Sequence, residues 1–566
     1  MITFVNGEFV ALKDVSYASQ LQAAGWRPRH DVWWTTELAN VVPFIEHLDE
    51  EILEVMNASA DALEESMALD TDFVVDLPPG RELKGFQKVD VEYILKRKDT
   101  LLAEDCGTGK TAIMIGALNM MRCKNALIVC PAVAKYNWLL NEWPKWTTLA
   151  HLSIGVAEGD FYPDTDIVII NFDILSRHKK RLQEKTWDCL LVDESHRVNN
   201  NDARRTVMIL GGNMRLKADK KKGLTKEQIG ESYCATQVSE YKFDIPPIPA
   251  NKRVFATGTP MNRPKNLWTV IRAFDRDGLG GDEDYFHRRY CLRYKNHLGV
   301  WDDNGAANQQ ELGAYLRSKF MVRHDSEQVM NIPKQQQRLF LLPPVELVME
   351  QEQQFISENL DALIKLGKYM GKTVNEETSP EEFMRIIGEA VIENVKIIGD
   401  ADMQVLFTQF AKVREATGIA KVPHIVDYVK LKSDDETVPV VVFGYHKKVM
   451  AHLIEAFPTW SYVIGGMSAK RRAEEVRKFQ EGETPGFLGN YDAAGESITL
   501  TRSNYLIAAE LDWRGTQTLQ VFKRIKRFTQ TRESFADILC SAKSFDALMA
   551  ERCLEKIRNI ELTLDM

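Results

Sequence analysis

The stretch LLAEDCGTGKTAIM, residues 101–114, joins a short apolar run to a helical pattern through a glycine-rich turn. Its GTGKT portion, residues 107–111, follows the order of a phosphate-binding loop, G-x-x-x-x-G-K-[ST], but Glu104 occupies the first glycine position. In such a loop, backbone N–H groups and the N-terminus of the following helix attract phosphate oxygens. The stretch therefore predicts a strand, a nucleotide-binding turn and a helix.

Five consecutive residues of this loop are predicted to hold ATP. They are Gly107, Thr108, Gly109, Lys110 and Thr111. We expect Lys110 to reach the β- and γ-phosphates and to act in catalysis, and Thr111 to hold Mg²⁺. The alternative is a chance glycine turn before a helix, and the apolar run that precedes the turn argues against it.

The composition indicates a chain with several packed domains, since 44% of the 566 residues are hydrophobic and the length suggests about three to four domains. No apolar run approaches the ~20 residues of a membrane span, and MITFVNGEFV lacks the pattern of a signal peptide. Eight cysteines occur without a CxxC pair, which predicts neither a cysteine zinc site nor a disulfide framework. We therefore expect a reducing, cytoplasmic location.

The charge distribution leaves nucleic-acid binding open. The net charge of −9 argues against a wholly basic nucleic-acid binder. Three local basic tracks nevertheless occur, at residues 214–226, 287–295 and 523–532. Each of them taken alone is equally consistent with a solvated surface.

The pattern along the chain predicts four regions. Residues 1–75 form a small N-terminal block, whose acidic stretch at 49–72 has the pattern of a helical, solvated connector. Residues 76–335 alternate short apolar runs with helical patterns, apart from a polar, lysine-rich insertion at about 200–250. Residues 336–425 have a mainly helical pattern, and the strand and helix alternation returns over 426–566. Such alternation is typical of parallel α/β sheets, whose ligands bind at the carboxyl ends of the strands. We therefore expect two α/β lobes.

The segment CLLVDESH, residues 189–196, places two carboxylates at the end of a buried strand. Asp193 is predicted to hold Mg²⁺, and Glu194 to polarise the water that attacks the γ-phosphate. The alternative is an exposed acidic turn. The apolar run before the carboxylates and the loop upstream argue against that alternative.

The segment QVFKRIKRFTQ, residues 520–530, carries Arg524 and Arg527 three residues apart, so a helix would present both on one face. Arginines supplied by a second body stabilise charge on a transferring phosphoryl group and contribute about 10³–10⁵ in rate. Both are predicted to be catalytic. Taken alone, the segment is better explained as a basic surface helix.

These segments, in this order, resemble the Swi/Snf family of superfamily 2 helicase-like ATPases over most of residues 83–560. LKGFQKVDVEYIL, residues 83–95, resembles the Q motif, with Gln87 as the adenine reader. EDCGTGKT resembles the family's DEMGLGKT, in which an acidic residue also replaces the first glycine. Gln520 precedes the two arginines as in motif VI. Residues 127–146 resemble motif Ia, and residues 256–260 resemble motif III. Residues 440–449 resemble motif IV, and residues 492–513 resemble motif V.

The chain departs from the family pattern at several motif positions. They are Glu104 for the commoner Asp, Ser195, Glu496, Lys523 in place of Asp, and Phe528. These departures bear on how ATP is coupled to motion rather than on the prediction of an ATPase.

A narrower resemblance points to the annealing-helicase branch of the family. Residues 288–324 and 414–429 are similar to that branch, and residues 23–36 resemble part of its HARP module, which recognises branched DNA. The alternative for the last segment is an ordinary small domain with a tryptophan-rich core.

The resemblance implies an α/β fold of two RecA-like parallel-sheet lobes, with a helical insertion between them and a small N-terminal domain. It implies ATP and Mg²⁺ on the first lobe and arginines from the second. It also implies a DNA-dependent ATPase that translocates on double-stranded DNA and remodels or reanneals branched or forked DNA.

Three other functions stay open at this point: a strand-separating DNA or RNA helicase, a remodeller of protein–DNA complexes, and a degenerate ATPase that serves as a scaffold. The intact motif residues argue against the scaffold. We expect a monomer that associates with the nucleoid of a bacterium or a phage-infected cell. Replication and recombination proteins are candidate partners, and no membrane partner is expected.

Overall fold

The structure is a computed structural model. It describes all residues except 1, 6–7, 36–40, 49, 106, 133, 219–238, 262, 296–300, 331–332, 334, 393–400, 434–438, 495–497, 513–514, 528 and 565–566. Two of the departures named above, Glu496 and Phe528, lie outside the described residues, as does the centre of the insertion at 200–250.

Among the described residues, the strands form three larger sheets and two two-stranded sheets. In chain order they are β1 Ile2–Val5, β2 Glu8–Leu12, β3 Arg27–Arg29, β4 Val32–Thr35, β5 Asp99–Leu102, β6 Ala126–Cys130, β7 Ile154–Val156, β8 Ile167–Asn171, β9 Trp187–Asp193, β10 Gly212–Ala218, β11 Ser239–Ile245, β12 Ala250–Ala256, β13 Tyr294–Lys295, β14 Trp301–Asp302, β15 Met321–Val322, β16 Gln335–Leu342, β17 Val440–Gly444, β18 Ser461–Val463, β19 Phe487–Asn490, β20 Tyr505–Ala508 and β21 Ser534–Ser541.

Helices connect most of the strands. The α-helices are Ala18–Ala23, Glu50–Met67, Gly85–Lys96, Lys110–Met121, Lys135–Asn137, Trp143–Trp146, Lys179–Gln183, Arg204–Leu210, Trp268–Phe274, Glu283–Tyr290, Gln309–Lys319, Ser326–Met330, Glu346–Glu358, Leu360–Tyr369, Pro380–Ile392, Ala401–Ala420, Val422–Ser433, Lys447–Ala456, Ala469–Glu481, Tyr491–Ala494, Gly515–Phe522 and Phe545–Leu564. A π-helical turn, Trp138–Glu142, joins two of the short ones. Among the helices that the structure describes, none has both the length and the apolar character needed to cross a bilayer.

The N-terminal block contains an antiparallel sheet with the order β1-β2-β4-β3. The sheet packs with the helix Ala18–Ala23 around a small core of its own, which includes Trp26 and Trp33. Because this core shares no member with the larger clusters of the two lobes, the block is organised around its own apolar residues.

The first lobe is built on a seven-stranded sheet with the order β15-β5-β12-β9-β6-β8-β7, and its pairings are parallel. All five residues of β6 and of β8 are buried, as expected for strands covered by helices on both faces. The insertion contributes a separate two-stranded antiparallel sheet, β10–β11.

The second lobe is built on a six-stranded parallel sheet with the order β16-β21-β20-β17-β19-β18. The two parallel sheets and their covering helices confirm the predicted fold class. Each sheet brings the carboxyl ends of its strands to one edge, and in α/β folds that edge is where ligands bind.

The helical region between the lobes begins later than its predicted start at 336. Residues 335–342 form β16, which pairs with β21 in the second sheet, and helices begin only at Glu346. The sequence QQQRLFLL has no helical spacing of apolar residues, and its pairing partner lies far downstream, so local pattern did not reveal the strand.

The helix Glu50–Met67 belongs by its contacts to the first lobe, although the sequence placed it in the N-terminal block as a solvated connector. It packs against the helix Gln309–Lys319. Its end is held by ion pairs of Glu65 with Lys96 and Arg97.

Candidate nucleotide site between the lobes

The predicted phosphate loop lies between the end of β5 at Leu102 and the start of a helix at Lys110. Gly107 and Gly109 have φ angles of +88° and +89°, in the left-handed region that residues with a Cβ rarely adopt. A Cβ at Gly109 would also lie 2.5 Å from Gln87 Nε2. Both glycines are therefore required by the turn itself.

The side chain of Lys110 lies folded back on the loop. Its Nζ donates hydrogen bonds to the backbone carbonyls of Glu104, at 2.9 Å, and Asp105, at 2.8 Å. The hydroxyl of Thr108 donates to the Asp105 carbonyl at 2.8 Å, and Thr111 lies in the first turn of the helix. The loop is thus closed on itself, and Lys110 must exchange these carbonyls for phosphate oxygens when it binds a nucleotide.

Gln87, the predicted adenine reader, contacts the loop directly. Its Nε2 donates to the Thr108 carbonyl at 2.6 Å, and its Oε1 accepts from the backbone N–H of Lys84 at 2.9 Å. These bonds join the start of the helix Gly85–Lys96 to the phosphate loop. Contact with adenine stays a prediction, but the residue is at the site.

The two carboxylates of DESH come to the same edge of the sheet. Asp193 ends β9 and stands beside Ala256 of β12, whose other neighbour is Leu102 at the end of β5. Asp193 Oδ2 accepts from the indole Nε1 of Trp138 at 3.0 Å, and its Oδ1 accepts from the Glu194 backbone N–H at 3.0 Å.

The environment shifts the pKa values of the two carboxyls in opposite directions. Burial and the charge of Glu194 raise the pKa of Asp193, although Trp138 and Lys110 oppose the shift. Burial also opposes ionisation of Glu194, but the hydrogen bond and charge of His196, with the charges of Lys110 and Arg524, outweigh it and lower the pKa of Glu194. A pair pushed apart in this way keeps one carboxylate charged, as a base requires.

Glu194 is also held in an unusual backbone conformation. Its φ of +53° lies in the left-handed region, which is uncommon for a residue other than glycine. Its Oε2 lies 3.3 Å from His196 Nδ1, and that nitrogen is 3.1 Å from the hydroxyl of Thr257. His196 thereby connects the carboxylate to the segment that follows β12.

The predicted arginines lie beyond the helix rather than on one helical face. The helix Gly515–Phe522 ends before Arg524 and Arg527, which lie in the turn that follows. The turn is stabilised by Gln530, whose side-chain Nε2 donates to the backbone carbonyls of Ile525, Ser503 and Thr501. Two of these bonds join residues 27 and 29 positions apart, which spacing alone could not predict.

The segment from Gln520, in the last turn of the helix, to Arg527 contacts the first lobe at three places. Gln520 Nε2 donates to the hydroxyl of Thr259 at 2.7 Å. Lys523 Nζ pairs with Asp105 of the phosphate loop, and a Cβ on Gly107 would lie 3.1 Å from Cγ of Arg527.

Asp105 is the centre of the contact between the lobes. Burial opposes its ionisation, but Lys523 and Arg323 outweigh that effect and hold the pKa of Asp105 far below its usual range. The hydroxyl of Ser326 donates to Asp105 Oδ2 at 2.7 Å. In the sequence, Lys523 stood out as the start of a basic track and as a departure from motif VI. The positive charge of Lys523, opposite to that of Asp105 in the phosphate loop, was the sequence signal for this ion pair.

The basic track at 523–532 is therefore largely part of this site. Lys523, Arg524 and Lys526 are all buried. Their charges do not form an exposed surface for nucleic acid, in contrast to the track at 287–295, where Arg288 and Lys295 are exposed.

Two parallel-sheet lobes, with a phosphate loop on one and a basic turn of the other set against it, define a two-lobed helicase-like P-loop protein. Two known domain families match the chain: the SNF2-related domain over residues 41–219 and the helicase conserved C-terminal domain over residues 420–529. The chain thus contains an SNF2-related domain followed by a helicase conserved C-terminal domain. This confirms the resemblance drawn from its motifs.

Curated relatives are similar at low identity over most of the chain. The human DNA annealing helicase and endonuclease ZRANB3 is 24% identical over 85% of this chain and 40% of its own length. The SWI/SNF-related matrix-associated actin-dependent regulator of chromatin subfamily A-like protein 1 of Xenopus tropicalis is 23% identical over 86% of this chain and 45% of its own. The chain thus spans less than half the length of these relatives.

Solved structures also match the chain. The Sulfolobus solfataricus SWI2/SNF2 ATPase core in complex with dsDNA is 18% identical and covers 87% of this chain and 99% of its own, with a TM-score of 0.36.

Proposed function

We propose that the protein is an ATPase that couples ATP hydrolysis to translocation on duplex DNA and remodels or reanneals branched or forked DNA. The observation that carries the proposal is the contact of the segment Gln520–Arg527 with the phosphate loop and with Thr259. It joins the nucleotide site to both lobes, so that a change at the γ-phosphate can alter how the lobes meet.

In this proposal, ATP and Mg²⁺ bind at the loop between β5 and the helix that begins at Lys110. Lys110 neutralises the β- and γ-phosphates, and Thr111 and Asp193 hold Mg²⁺, whose oxygen ligands these side chains supply. When bound, Mg²⁺ neutralises the charge that develops on the phosphate oxygens.

Glu194 is the proposed base because its lowered pKa keeps it ionised beside the site. Arg524 and Arg527 are the proposed source of positive charge from the second lobe. Arg524 is close enough to Glu194 to lower the pKa of that carboxyl, which supports its assignment to the same site.

Duplex or branched DNA as the substrate is supported by the family and by the name of the human relative, which describes an annealing helicase. Contacts of lysines and arginines with phosphates would make binding fall steeply with salt. The exposed basic residues at 287–295 are one proposed location for such contacts.

The first test measures ATP turnover in parallel with no nucleic acid, single-stranded DNA, linear duplex, forked DNA and duplex RNA. We expect stimulation chiefly by duplex or forked DNA. Stimulation chiefly by single strands or RNA, together with displacement of a paired strand, would favour a strand-separating helicase instead. Protein displacement from duplex without reannealing would favour a remodeller of protein–DNA complexes.

The N-terminal block is proposed to recognise branched DNA. Because the helix Glu50–Met67 packs on the first lobe, the deletion that tests this proposal should remove residues 1–48 and keep that helix. We expect the preference for forked over linear DNA to fall while basal turnover is retained. Equal loss on both substrates would indicate a structural role for the block.

A further inference from the structure

Behind the phosphate loop lies a buried cluster of three ionisable side chains, Asp90, Glu104 and His324. Asp90 comes from the helix Gly85–Lys96, Glu104 from the loop after β5, and His324 from the segment after β15. Asp90 and Glu104 are completely buried and His324 is 2% exposed. Three parts of the first lobe therefore meet at one polar point inside its core.

The atoms of the cluster that could ligate a cation lie close to one another. His324 Nδ1 lies 2.8 Å from Glu104 Oε1 and 3.4 Å from Asp90 Oδ1. Glu104 Oε1 also accepts from the backbone N–H of His324 at 2.7 Å. One nitrogen and carboxylate oxygens from two residues thus surround a common centre.

Three carboxylate oxygens of the cluster accept no hydrogen bond from any residue that the structure describes: both oxygens of Asp90 and Oε2 of Glu104. Burying such an oxygen without a partner is costly, since the water it loses is not replaced. Their burial beside an imidazole nitrogen indicates that a cation belongs between them.

The other nitrogen of His324 determines which tautomer is present. Nε2 lies 2.9 Å from the carbonyl of Ala68, which can only accept, so Nε2 carries a hydrogen. In the neutral ring, Nδ1 then presents its lone pair to the two carboxylates. A histidine that ligates a metal typically has its second nitrogen bonded to a carbonyl in this way.

Two cations could occupy this centre. A proton on Nδ1 would bring one positive charge to two carboxylates and could be donated well to only one of them. A divalent metal ion would balance both carboxylates and could use the oxygens that accept no hydrogen bond. Charge balance and the unused oxygens therefore favour the metal.

We propose that Asp90, Glu104 and His324 form a binding site for Zn²⁺, separate from the Mg²⁺ site proposed at Thr111 and Asp193. Histidine nitrogen and carboxylate oxygen are both ordinary zinc ligands, and Glu104 can supply one or both of its oxygens. Mg²⁺ suits the site less well, since it prefers oxygen ligands and retains several waters.

Such an ion would stabilise the position of the phosphate loop from behind. The carbonyl of Glu104 holds Lys110, and Ala68 follows the helix Glu50–Met67. The site therefore joins the loop, the helix Gly85–Lys96 and the chain that leaves the N-terminal block.

The test uses the full chain, free of nucleotide and stripped with a chelator. Zn²⁺ or Co²⁺ is titrated in, and bound metal is measured by elemental analysis and by the visible absorption of Co²⁺. We expect one tightly bound ion with the weak bands of nitrogen and oxygen ligands. Strong near-ultraviolet bands would instead identify binding to cysteine sulfur and would overturn the assignment.

The variant Asp90→Asn keeps the size of the side chain and removes a ligand charge. We expect it to weaken Co²⁺ binding by at least about 100-fold, since loss of even an outer partner of a metal ligand costs about 10–100-fold. The matched control is Asp193→Asn, which alters the proposed Mg²⁺ site and should leave this binding unchanged.

The wild-type titration decides the question even if Asp90→Asn does not fold. A folded wild-type protein that takes up neither Zn²⁺ nor Co²⁺ would show that a proton, not a metal, holds the cluster. Metal uptake that raises the melting temperature of the wild type, and does not raise that of His324→Gln, would support the site. The ATPase proposal is tested separately, so either can fail alone.

Discussion

The two halves of the candidate nucleotide site differ in how far apart in the chain their contacts are made. In the first lobe, the ammonium group of Lys110 donates hydrogen bonds to backbone carbonyls five and six residues before it. In the second lobe, Gln520 reaches Thr259, 261 residues away, and Lys523 reaches Asp105, 418 residues away. The first half is formed by local structure, and the second forms only when the lobes meet.

This difference suggests a division of labour between the halves. A loop that closes on itself can bind phosphate whatever the position of the other lobe. Residues whose contacts depend on the other lobe can instead respond to its position. Loss of a first-lobe residue should therefore abolish ATP binding or turnover. Loss of a second-lobe residue should mainly slow turnover while ATP still binds.

The largest effect is expected for Lys110→Ala. Because no other side chain of the loop supplies positive charge to the β- and γ-phosphates, ATP turnover should fall to background. Salt-sensitive DNA binding should be retained, since it is proposed to use other basic residues. Steady-state turnover and fluorescence-anisotropy binding check both expectations, and turnover like that of the wild type would refute the assignment of the site.

The next largest effect is expected for Arg524→Ala. An arginine that stabilises the transferring phosphoryl group contributes about 10³–10⁵ in rate, so turnover should fall by at least about 10³. Affinity for a non-hydrolysable ATP analogue should change little, which would separate this half from the first. Arg477→Ala, on an exposed helix and paired with Glu474, is the matched control. Equal losses in the two variants would contradict a specific role.

A smaller effect is expected for Lys523→Met, which removes the pair with Asp105 but keeps much of the side chain's length. We expect turnover to fall about tenfold, through poorer positioning of the arginine turn. A double-mutant cycle with Asp105→Asn should give a coupling energy of about 0.5–3 kcal/mol. Additive losses would show that the two charges act independently, and the exposed Lys470→Met serves as the control.

The smallest effect concerns stability rather than turnover. Burial raises the pKa of Glu352 to about 8, an effect that the Phe545 N–H opposes and the charge of Asp546 reinforces. The folded state therefore holds this proton more tightly than the unfolded chain, whose glutamate pKa is about 4.3. Stability from this group is complete below about pH 4.3 and is lost as pH rises toward 8.

Glu352→Gln keeps a neutral side chain at every pH. Its melting temperature should equal that of the wild type at about pH 4 and exceed it at about pH 8.5, while turnover at neutral pH is unchanged. A difference that does not vary with pH would mean that the side chain does not titrate in the folded protein. Melting curves at the two pH values provide the measurement.

The sequence correctly predicted the strand, glycine turn and helix around residues 101–114, because these elements follow from adjacent residues. It also predicted the two parallel sheets, whose buried strands are continuous apolar runs. It did not predict where the basic turn lies, because Gln530 holds that turn through hydrogen bonds to residues up to 29 positions away.

The helix Glu50–Met67 illustrates the same limit. Its acidic sequence suggested a solvated connector, yet the carbonyl of Ser66 accepts from Arg317, 251 residues later. No spacing within the helix reveals a partner at that distance. Residues that follow one another reveal local structure, whereas packing between distant segments has no signature in a single sequence.

The pairing of β16 with β21 has a consequence for synthesis of the chain on the ribosome. Arg338 in β16 and Asp537 in β21 form an ion pair across 199 residues. When β16 is made, the strand that will cover its edge does not yet exist, whereas β5 to β12 of the first sheet are already complete. The first lobe can therefore begin to fold during translation, whereas the edge of β16 that will pair with β21 stays unpaired until residues 534–541 are made. An unpaired strand edge can pair with other chains.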